Sequence, residues 1–421
     1  MEPGNPVSNS KKGATAIANQ LLTIAMITKE AMMLLTNKLL FVMHCDRTLS
    51  REFGRDGAKI GTTINVRRPP RYLGRTGQGL ALEDAVETSV PLVLNTQFGV
   101  DLAFTSADLA LSIDEFSNRF IRPNIAAVAN KVDRDGLQQY LNVSNEVGAP
   151  GTVPNTLLTY LNAGALLDNE AVPRDDRRMV IMSPNMQAVI VDALKGLFQS
   201  SELIAEQYER GEMGKGAGFS WGMDQNVWQQ TVGGQGGTPV VSGAGQTGST
   251  ISTSGWTANA AVLNVGDVVT FGGAFAVNPQ NRQSFGTLRQ FVVTQPVTAN
   301  AGGVASISIS ANSGFGVIPS GQFQNVSASP TNGGPVTVSG TGGTASPRGL
   351  VFHEEAFACG FAELPLYEGV DKANRQTDED TNISIRFIRA YDINMDRAPC
   401  RTDVLYGYLT KYPEAACRVA S

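Results

Sequence analysis

The stretch of residues 233–347 carries almost no charge, and this feature limits the possible fold more than any other. Its 115 residues include three charged side chains, Asp267, Arg282 and Arg289, and 22 of the 45 glycines of the chain. Without charge repulsion to keep it soluble, such a stretch must bury its apolar residues in a compact unit or lie within a larger body. Because charged, helix-forming sequence continues on both sides, we predict a domain inserted into another domain.

The composition excludes some classes of protein. A chain of 421 residues can hold two or three domains with a sizeable core. The net charge of −5 gives no support to a dedicated nucleic-acid-binding protein, which would carry a concentrated basic face. The cysteines form no CxxC pair, so we predict buried thiols and neither disulfides nor a zinc site. They are Cys45, Cys359, Cys400 and Cys417.

The N-terminal apolar run at residues 17–27 loosely resembles a signal peptide. Polar residues interrupt the run, and Lys29 and Glu30 end it before it could cross a bilayer. We therefore expect no membrane segment and a soluble protein inside the cell.

Helical periodicity predicts several helices. Apolar residues recur at helical spacing in residues 14–43, 123–141 and 156–167, and Ser183-Pro184 begins a further helix. Pro123 suits a first helical turn because its missing N–H would have no partner there, and a capping box at 112–115 starts a shorter helix before it. We expect the helix at 14–43 to break near its charged pairs and to pack on a neighbouring molecule.

Two alternating runs, residues 60–67 and 89–102, predict an extended β-hairpin, because a long connection rich in Gly, Pro and Arg joins them. The connection carries arginines first and acidic residues on its return. These are Arg67, Arg68, Arg71 and Arg75, followed by Glu83, Asp84 and Glu87. A long hairpin of this kind is not stable alone in water. We therefore predict that it lies on another molecule and that these seven residues form contacts between subunits.

Two alternatives for the arginines stay open. They could contact nucleic acid, although a phosphate-binding surface would not place carboxylates beside them. They could also belong to a solvated loop, where ion pairs contribute little.

The uncharged stretch shows the alternation of β-strands. Strands are predicted at 268–271, 290–294 and 304–310, and in the last of these Ala305, Ile307 and Ile309 alternate with serines. The Gly and Asn punctuation between them indicates a small barrel or sandwich. After it we predict strands at 381–391 and 404–410 and then a polar tail.

The sequence offers no complete catalytic, cofactor or metal site. Ser220, within GFSWG at 218–222, matches the pattern of a nucleophile elbow, but glycines replace the strand that should precede it, so a hinge is favoured. The two histidines, His44 and His353, lack companion ligands. The glycines at 74–79 and 211–222 do not follow a strand and open a helix as phosphate-binding loops do. We expect a protein that is not an enzyme and has no cofactor.

Several short runs carry a family resemblance through their order and spacing. They are INVRRPPR at 64–71, GVDLAFTSADL at 99–109, Arg122-Pro123, GDVVTF at 266–271, QFVVT at 290–294, HEEAF at 353–357 and RTDVLYGY at 401–408. Together they resemble the major coat (capsid) proteins of short-tailed phages, the gene-five coat family typified by a Salmonella phage. The resemblance covers about residues 60–416, and the N-terminal arm diverges from it.

The resemblance implies an α+β protein with the tailed-phage major capsid fold and an inserted all-β barrel. The implied division is an N-terminal arm at 1–50, an extended hairpin loop at 51–104, a peripheral domain with a spine helix at 105–150, the first part of an axial domain at 151–223, the inserted barrel at 224–346, and return strands with the C-terminus at 347–421.

The resemblance also implies the function. We expect a major capsid protein that self-assembles as hexamers and pentamers into the icosahedral head around double-stranded DNA, without sequence-specific contact to that DNA. The implied partners are further copies of the chain, a scaffolding protein, a portal protein and a decoration protein, with assembly in the host cytoplasm. A secreted or surface adhesin with a receptor-binding β domain is the alternative, although it would need an export signal and paired cysteines.

Overall fold

The computed structural model describes residues 24–53, 61–74, 76–80, 82–104, 117–194, 214–309, 316–367, 369, 372–378, 381–393 and 398–421. Within these residues the fold is α+β, as the sequence predicts. The helices are α1 (Ile24–Lys38), α2 (Arg122–Leu137), α3 (Leu157–Asn169) and α4 (Pro184–Leu194). None of them has the length and apolar character needed to cross a bilayer. The predicted capping box at 112–115 lies outside the described residues.

The strands follow in chain order. They are β1 (Thr63–Arg68), β2 (Thr88–Val93), β3 (Thr96–Phe104), β4 (Asn145–Gly148), β5 (Arg178–Met182), β6 (Lys215–Gly216), β7 (Phe219–Met223), β8 (Gln229–Thr231), β9 (Gly237–Val241), β10 (Thr250–Trp256), β11 (Ala261–Leu263), β12 (Val268–Val277), β13 (Ser284–Val292), β14 (Val297–Thr298), β15 (Ala305–Ser308), β16 (Val336–Val338), β17 (Ala345–His353), β18 (Phe357–Ala362), β19 (Lys372–Thr377), β20 (Ser384–Arg389), β21 (Ala398–Thr410) and β22 (Ala416–Ala420).

Two sheets form the body of the chain. The first has seven strands in the order β4-β22-β17-β5-β7-β6, with β8 paired to β17, and α3 packs on it through Tyr160 and Leu167. The second has five strands in the order β18-β21-β20-β19, with β3 paired to β21. Residues of α1, α2 and both sheets share one apolar core, in which Leu35, Val128 and Tyr406 are buried.

Helix α1 differs from its prediction in two ways. It runs without a break through Lys29 and Glu30, because neither side chain is buried in the core. Its apolar stripe, including Ile27 and Leu35, packs on α2 of the same chain, whereas the prediction was packing on a neighbouring molecule. The remainder of the predicted arm, residues 1–23, lies outside the described residues.

The spine helix α2 begins as predicted, with Pro123 in its first turn. Ile125, Val128 and Val132 are buried along one stripe, which is the pattern of an amphipathic helix packed on a core. Helix α4 is also confirmed, and Ser183 Oγ accepts a hydrogen bond of 3.4 Å from the backbone N–H of Met186, as expected of a residue that caps a helix.

The predicted second run of the hairpin splits into two strands. β1 and β2 pair antiparallel, with Arg67 opposite Ser89 and Arg68 opposite Thr88, which confirms the hairpin. The chain then leaves β2, and β3 joins the five-stranded sheet beside β21. The hairpin therefore emerges directly from a sheet of its own chain.

The uncharged stretch forms short antiparallel sheets around a core of its own. Strands β9, β10 and β15 form one sheet, β12, β13 and β16 a second, and β11 pairs with β14. Ile251, Phe271 and Ile307 are buried in this core, and Ala305 and Ile309 are buried while Ser306 is exposed, as the alternation predicts. The closed barrel and the domain boundaries remain predictions.

The C-terminal residues are not the polar tail that the sequence indicated. After β21, a short turn at Pro413–Ala415 leads into β22, in which every residue is buried. β22 lies between β17 and β4, antiparallel to the first and parallel to the second. The backbone therefore completes a sheet, and the side chain of Arg418 is buried with it.

Candidate functional site

The hairpin and its long connection are the candidate site. The base of the hairpin is fixed on its own chain, because Val66, Val90 and Leu92 are buried against Ala358 and Leu405 of the five-stranded sheet. The connection beyond β1 is exposed over most of its described length. The site therefore has a fixed base and an exposed tip.

Strand alternation separates the first two arginines of the predicted cluster. Arg67 points to solvent, where its Nη1 lies 3.5 Å from Glu87 Oε2; the two side chains are 81% and 53% exposed. An ion pair with that exposure contributes little to stability. Arg68 is buried, with its guanidinium carbon 6.0 Å from the centre of the Tyr412 ring, and burial lowers its pKa.

Arg71 is held by the C-terminal turn of the same chain. Its Nη2 lies 2.8 Å from Oε1 of Glu414, whose side chain is only 10% exposed. The Arg71 guanidinium carbon also lies 5.8 Å from the centre of the Phe323 ring, in the uncharged stretch. A cation held between a shielded carboxylate and an aromatic face is more firmly placed than an exposed pair such as Arg67 with Glu87.

The acidic residues of the return limb take different roles. Glu83 Oε2 accepts a hydrogen bond of 2.7 Å from the N–H of Leu73, and this bond closes the connection on itself. The Asp84 side chain is exposed, and its carbonyl oxygen accepts a bond of 2.8 Å from Gln322 Nε2. Arg75 lies outside the described residues. Whether any of the seven predicted residues meets a neighbouring subunit stays a prediction.

The inserted stretch contacts the connection as well. Arg282 Nη2 donates a hydrogen bond of 3.1 Å to the carbonyl oxygen of Tyr72. Together with Gln322 and Phe323, this residue places the inserted stretch against the hairpin connection.

A small cavity of about 120 Å³ lies at the junction of these segments. Arg68, Arg71, Tyr412 and Glu414 line one part of it, and a buried ion pair between Arg289 and Glu170 lines another. Burial raises the pKa of Glu170, against the opposing effect of Arg289. The cavity brings together the hairpin, the inserted stretch, α3 and the C-terminal turn.

The tip of the hairpin exposes large apolar side chains. Leu80 and Leu82 are 81% and 88% exposed, and Tyr72, Leu73 and Val86 are exposed beside them. Single exposed leucines are common in soluble proteins, whereas several exposed apolar residues close together in the chain make this connection a candidate interaction surface.

Among the described residues, the other sequence motifs are not arranged as a catalytic site. Ser220 lies inside strand β7, paired with β5, and not at a turn between a strand and a helix, so both the elbow and the hinge interpretation are wrong for it. His353 is buried, with Nε2 3.1 Å from Asp175 Oδ1, and its Nδ1 accepts a bond of 3.3 Å from the N–H of Glu355. Strand β5 separates it from β7. Within the described residues no group of His, Cys, Asp and Glu is arranged to hold a metal ion.

Sequence reasoning missed the residues that hold the hairpin. The sequence predicts a polar tail that includes Tyr412 and Glu414, and nothing local indicates that the partner of Glu414 lies 343 positions earlier. A sequence signal exists for Arg282 and Arg289, because two arginines in an almost uncharged stretch indicate specific contacts for their side chains. The four cysteines are buried free thiols, as predicted.

One family model and several solved structures match this chain. The family model described as P22 coat protein, gene protein 5, matches residues 60–418. A sequence search of curated proteins found no match. Among solved structures, a chain of Mycobacterium phage Che8 is 11% identical with a TM-score of 0.42 and covers 91% of this chain and 92% of its own.

Two further solved structures show the same level of similarity. The capsid of Ralstonia phage GP4 is 7% identical with a TM-score of 0.41, and the match covers 99% of this chain and 97% of that one. The mature capsid of bacteriophage PhiM1 is 12% identical with a TM-score of 0.38, and the match covers 91% and 86%.

Proposed function

The chain belongs to the P22 coat protein family, so it is a major capsid protein of a phage head, and from this premise we propose that it assembles as hexamers and pentamers into an icosahedral shell around double-stranded DNA. The observation that carries the proposal is the family match over residues 60–418, which spans the hairpin, the inserted stretch and both sheets. We propose no catalytic, cofactor or metal-binding role for the chain.

Assembly would rest on many modest contacts repeated around each subunit. Closed symmetry makes each subunit contribute the same surfaces several times, so a shell can be stable without any single tight interface. The exposed tip of the hairpin, with Leu80 and Leu82, is the surface that we assign to a neighbouring subunit. Around it we propose contacts through Arg67, Glu83, Asp84 and Glu87, and through Arg75.

The proposed partners follow from the same role. They are further copies of the chain, a scaffolding protein and a portal protein during assembly, and a decoration protein on the finished head. The DNA would fill the shell without sequence-specific contact, which suits a chain with a net charge of −5. Assembly would take place in the host cytoplasm, and the finished protein resides in the virion.

Expression of the full chain followed by sedimentation and electron microscopy tests the proposal. We expect capsomers or shell-sized particles. A chain that stays monomeric at high concentration, with and without a co-expressed scaffolding protein from the same phage, would contradict it. Affinity of such a monomer for a cell-surface receptor would favour the adhesin alternative.

A further inference from the structure

The connection of the hairpin is anchored twice on one short turn of its own chain. Arg68 lies over the ring of Tyr412, and Arg71 forms its ion pair with Glu414, two residues further along. The turn at Pro413–Ala415 is itself held, because the N–H of Tyr412 donates a hydrogen bond of 3.1 Å to the carbonyl oxygen of Ala356. Two arginines three positions apart therefore meet one rigid segment.

The residues between the two arginines are Pro69 and Pro70. A proline fixes its own φ and restricts the residue before it to extended conformations, so this segment has few ways to bend. If both of its ends are held, the direction in which the chain leaves Arg71 is set. Residues 72–86, which carry the exposed apolar tip, follow that direction.

The inserted stretch also holds the connection. Arg282 binds the carbonyl oxygen of Tyr72, Gln322 binds that of Asp84, and Phe323 lies against Arg71. The connection is thus held by both the C-terminal turn and the inserted stretch of the same chain. The contacts to Tyr72 and Asp84 both use the backbone oxygens of these residues. They therefore fix the path of the hairpin connection and leave its side chains exposed for another partner.

We propose that Arg68, Arg71, Tyr412 and Glu414 form a clasp within each subunit that sets the direction of the hairpin before the subunit meets a neighbour. This inference rests on the proposed capsid function and adds a condition to it. The tip contacts the neighbouring subunit, whereas the clasp holds the hairpin of its own subunit in place. Arg71 is accordingly a positioning residue, and its partner is in the same chain.

A charge exchange distinguishes a pair within one chain from a pair between chains. Arg71→Glu and Glu414→Arg are each expected to lower the yield of closed shells at least ten-fold, because each places like charges together. The double variant Arg71→Glu, Glu414→Arg is expected to recover most of that yield. Co-expression of the two single variants is expected to stay low, because mixing restores a pair between chains and cannot restore one within a chain.

The exposed pair of Arg401 with Asp101 provides a matched control. Arg401→Glu makes the same change of charge at a site that no part of the clasp touches, and its shell yield should stay within about two-fold of the original chain. The clasp is overturned if the single variants at 71 and 414 assemble normally, or if shells return when the two are mixed.

A second measurement covers variants that fail to assemble because they fail to fold. In Arg71→Gln and Glu414→Gln, the unassembled subunit should exchange the amide hydrogen of Leu73, which is bonded to Glu83 Oε2, at least five-fold faster, while those of β20 stay unchanged. Equal exchange at Leu73 would refute the clasp. If the original chain forms no shells at all, the proposed function fails, and the exchange result still decides whether the clasp exists.

Discussion

Arg418 donates a hydrogen bond of 2.6 Å from Nη1 to the carbonyl oxygen of Gly266, although 152 positions separate the two residues. The bond joins the last strand of the chain to the base of the inserted stretch. Glu146 completes the arrangement, because its Oε2 lies 3.5 Å from Arg418 Nε and 3.3 Å from Arg348 Nε. All of these side chains are buried, so Glu146 pairs with two cations away from water.

Glu146 should therefore matter more to stability than either arginine alone. Glu146→Gln leaves two buried guanidinium groups without that carboxylate, and we expect a loss of about 3–5 kcal/mol in the free energy of unfolding. Arg418→Met leaves Arg348 paired with Glu146 and should cost less, about 1–3 kcal/mol, mainly from unsatisfied polar groups. Urea unfolding of the unassembled subunit, followed by circular dichroism, gives both values.

The exposed pair of Arg401 with Asp101 again supplies the comparison. Arg401→Met should change the free energy of unfolding by no more than about 0.5 kcal/mol, as is usual for surface substitutions. A larger loss in Arg418→Met than in Glu146→Gln would show that Glu146 is not the centre of the network.

Asp133 predicts an unusual dependence of stability on pH. It is buried on α2, and its carboxylate accepts the N–H groups of Leu40 at 2.6 Å and Val42 at 3.3 Å. Burial, with a smaller contribution from Asp224, raises the pKa of Asp133 to about 7, against the opposing effect of these hydrogen bonds. The folded chain therefore binds this proton more tightly than the unfolded chain.

The sign follows from proton linkage. Between pH 4 and 7 the folded state holds more protons at this site, so the contribution of Asp133 to stability falls as the pH rises, by at most about 1.4 kcal/mol per pH unit. In Asp133→Asn that contribution disappears. Unfolding curves of both chains at pH 4.5, 5.5 and 6.5 should show the difference between them changing steadily, and a constant difference would contradict the assigned pKa.

The charged residues of the inserted stretch show what sequence patterns can and cannot predict. Asp267, Arg282 and Arg289 stand out in the sequence because charged residues are rare in this stretch, and all three form contacts in the structure. Asp267 accepts bonds from the N–H groups of Gly233 and Asn264, Arg282 holds Tyr72, and Arg289 pairs with Glu170. Their partners could not be predicted, because pairs 119 and 210 positions apart leave no local pattern in the sequence.

The helices and strands likewise show which features sequence patterns can and cannot predict. Periodicity located the spine helix, the hairpin and the strands that carry alternating residues, because those patterns come from one face being buried. It could not say which surface would cover α1, since a stripe such as Ile27 and Leu35 suits a neighbouring chain as well as α2. It also missed β22, whose Arg418 suggests a tail until the flanking strands cover it. The family predicted from short motifs is confirmed.

The apolar tip should contribute more to assembly than the charges around it. Burying a leucine on a partner is worth about 1.5–3 kcal/mol, whereas an exposed ion pair such as Arg67 with Glu87 contributes about 0–1 kcal/mol. Leu80→Ser with Leu82→Ser should therefore raise the subunit concentration needed for shell formation at least ten-fold, and Arg67→Ala should change it by less. Light scattering during assembly at stepped concentrations measures this threshold.

The folded subunit itself should be unaffected by the leucine substitutions, because both side chains are exposed in it. Unchanged urea unfolding of the unassembled subunit is the control. If Arg67→Ala proves the more damaging change, the charge cluster and not the apolar tip carries the contact with the neighbour.

Gly407 lies where the hairpin passes close to the five-stranded sheet. A Cβ atom at this position would stand 2.0 Å from the carbonyl oxygen of Val93, at the end of β2. Because the backbone of β21 fixes the Cβ position and the oxygen belongs to the backbone of β2, no side-chain rotation can relieve the contact. Gly407→Ala should force the hairpin away from β21 and cost about 1–3 kcal/mol in the free energy of unfolding, as overpacking does.

Gly79→Ala is the matched change within the hairpin connection, where a Cβ atom would meet nothing within 4 Å. It should leave both unfolding and shell yield as they are. The base of the hairpin also positions the clasp, so Gly407→Ala should lower shell yield even under conditions where the subunit remains folded. Normal shell yield from that variant would show that assembly does not depend on where the hairpin leaves the sheet.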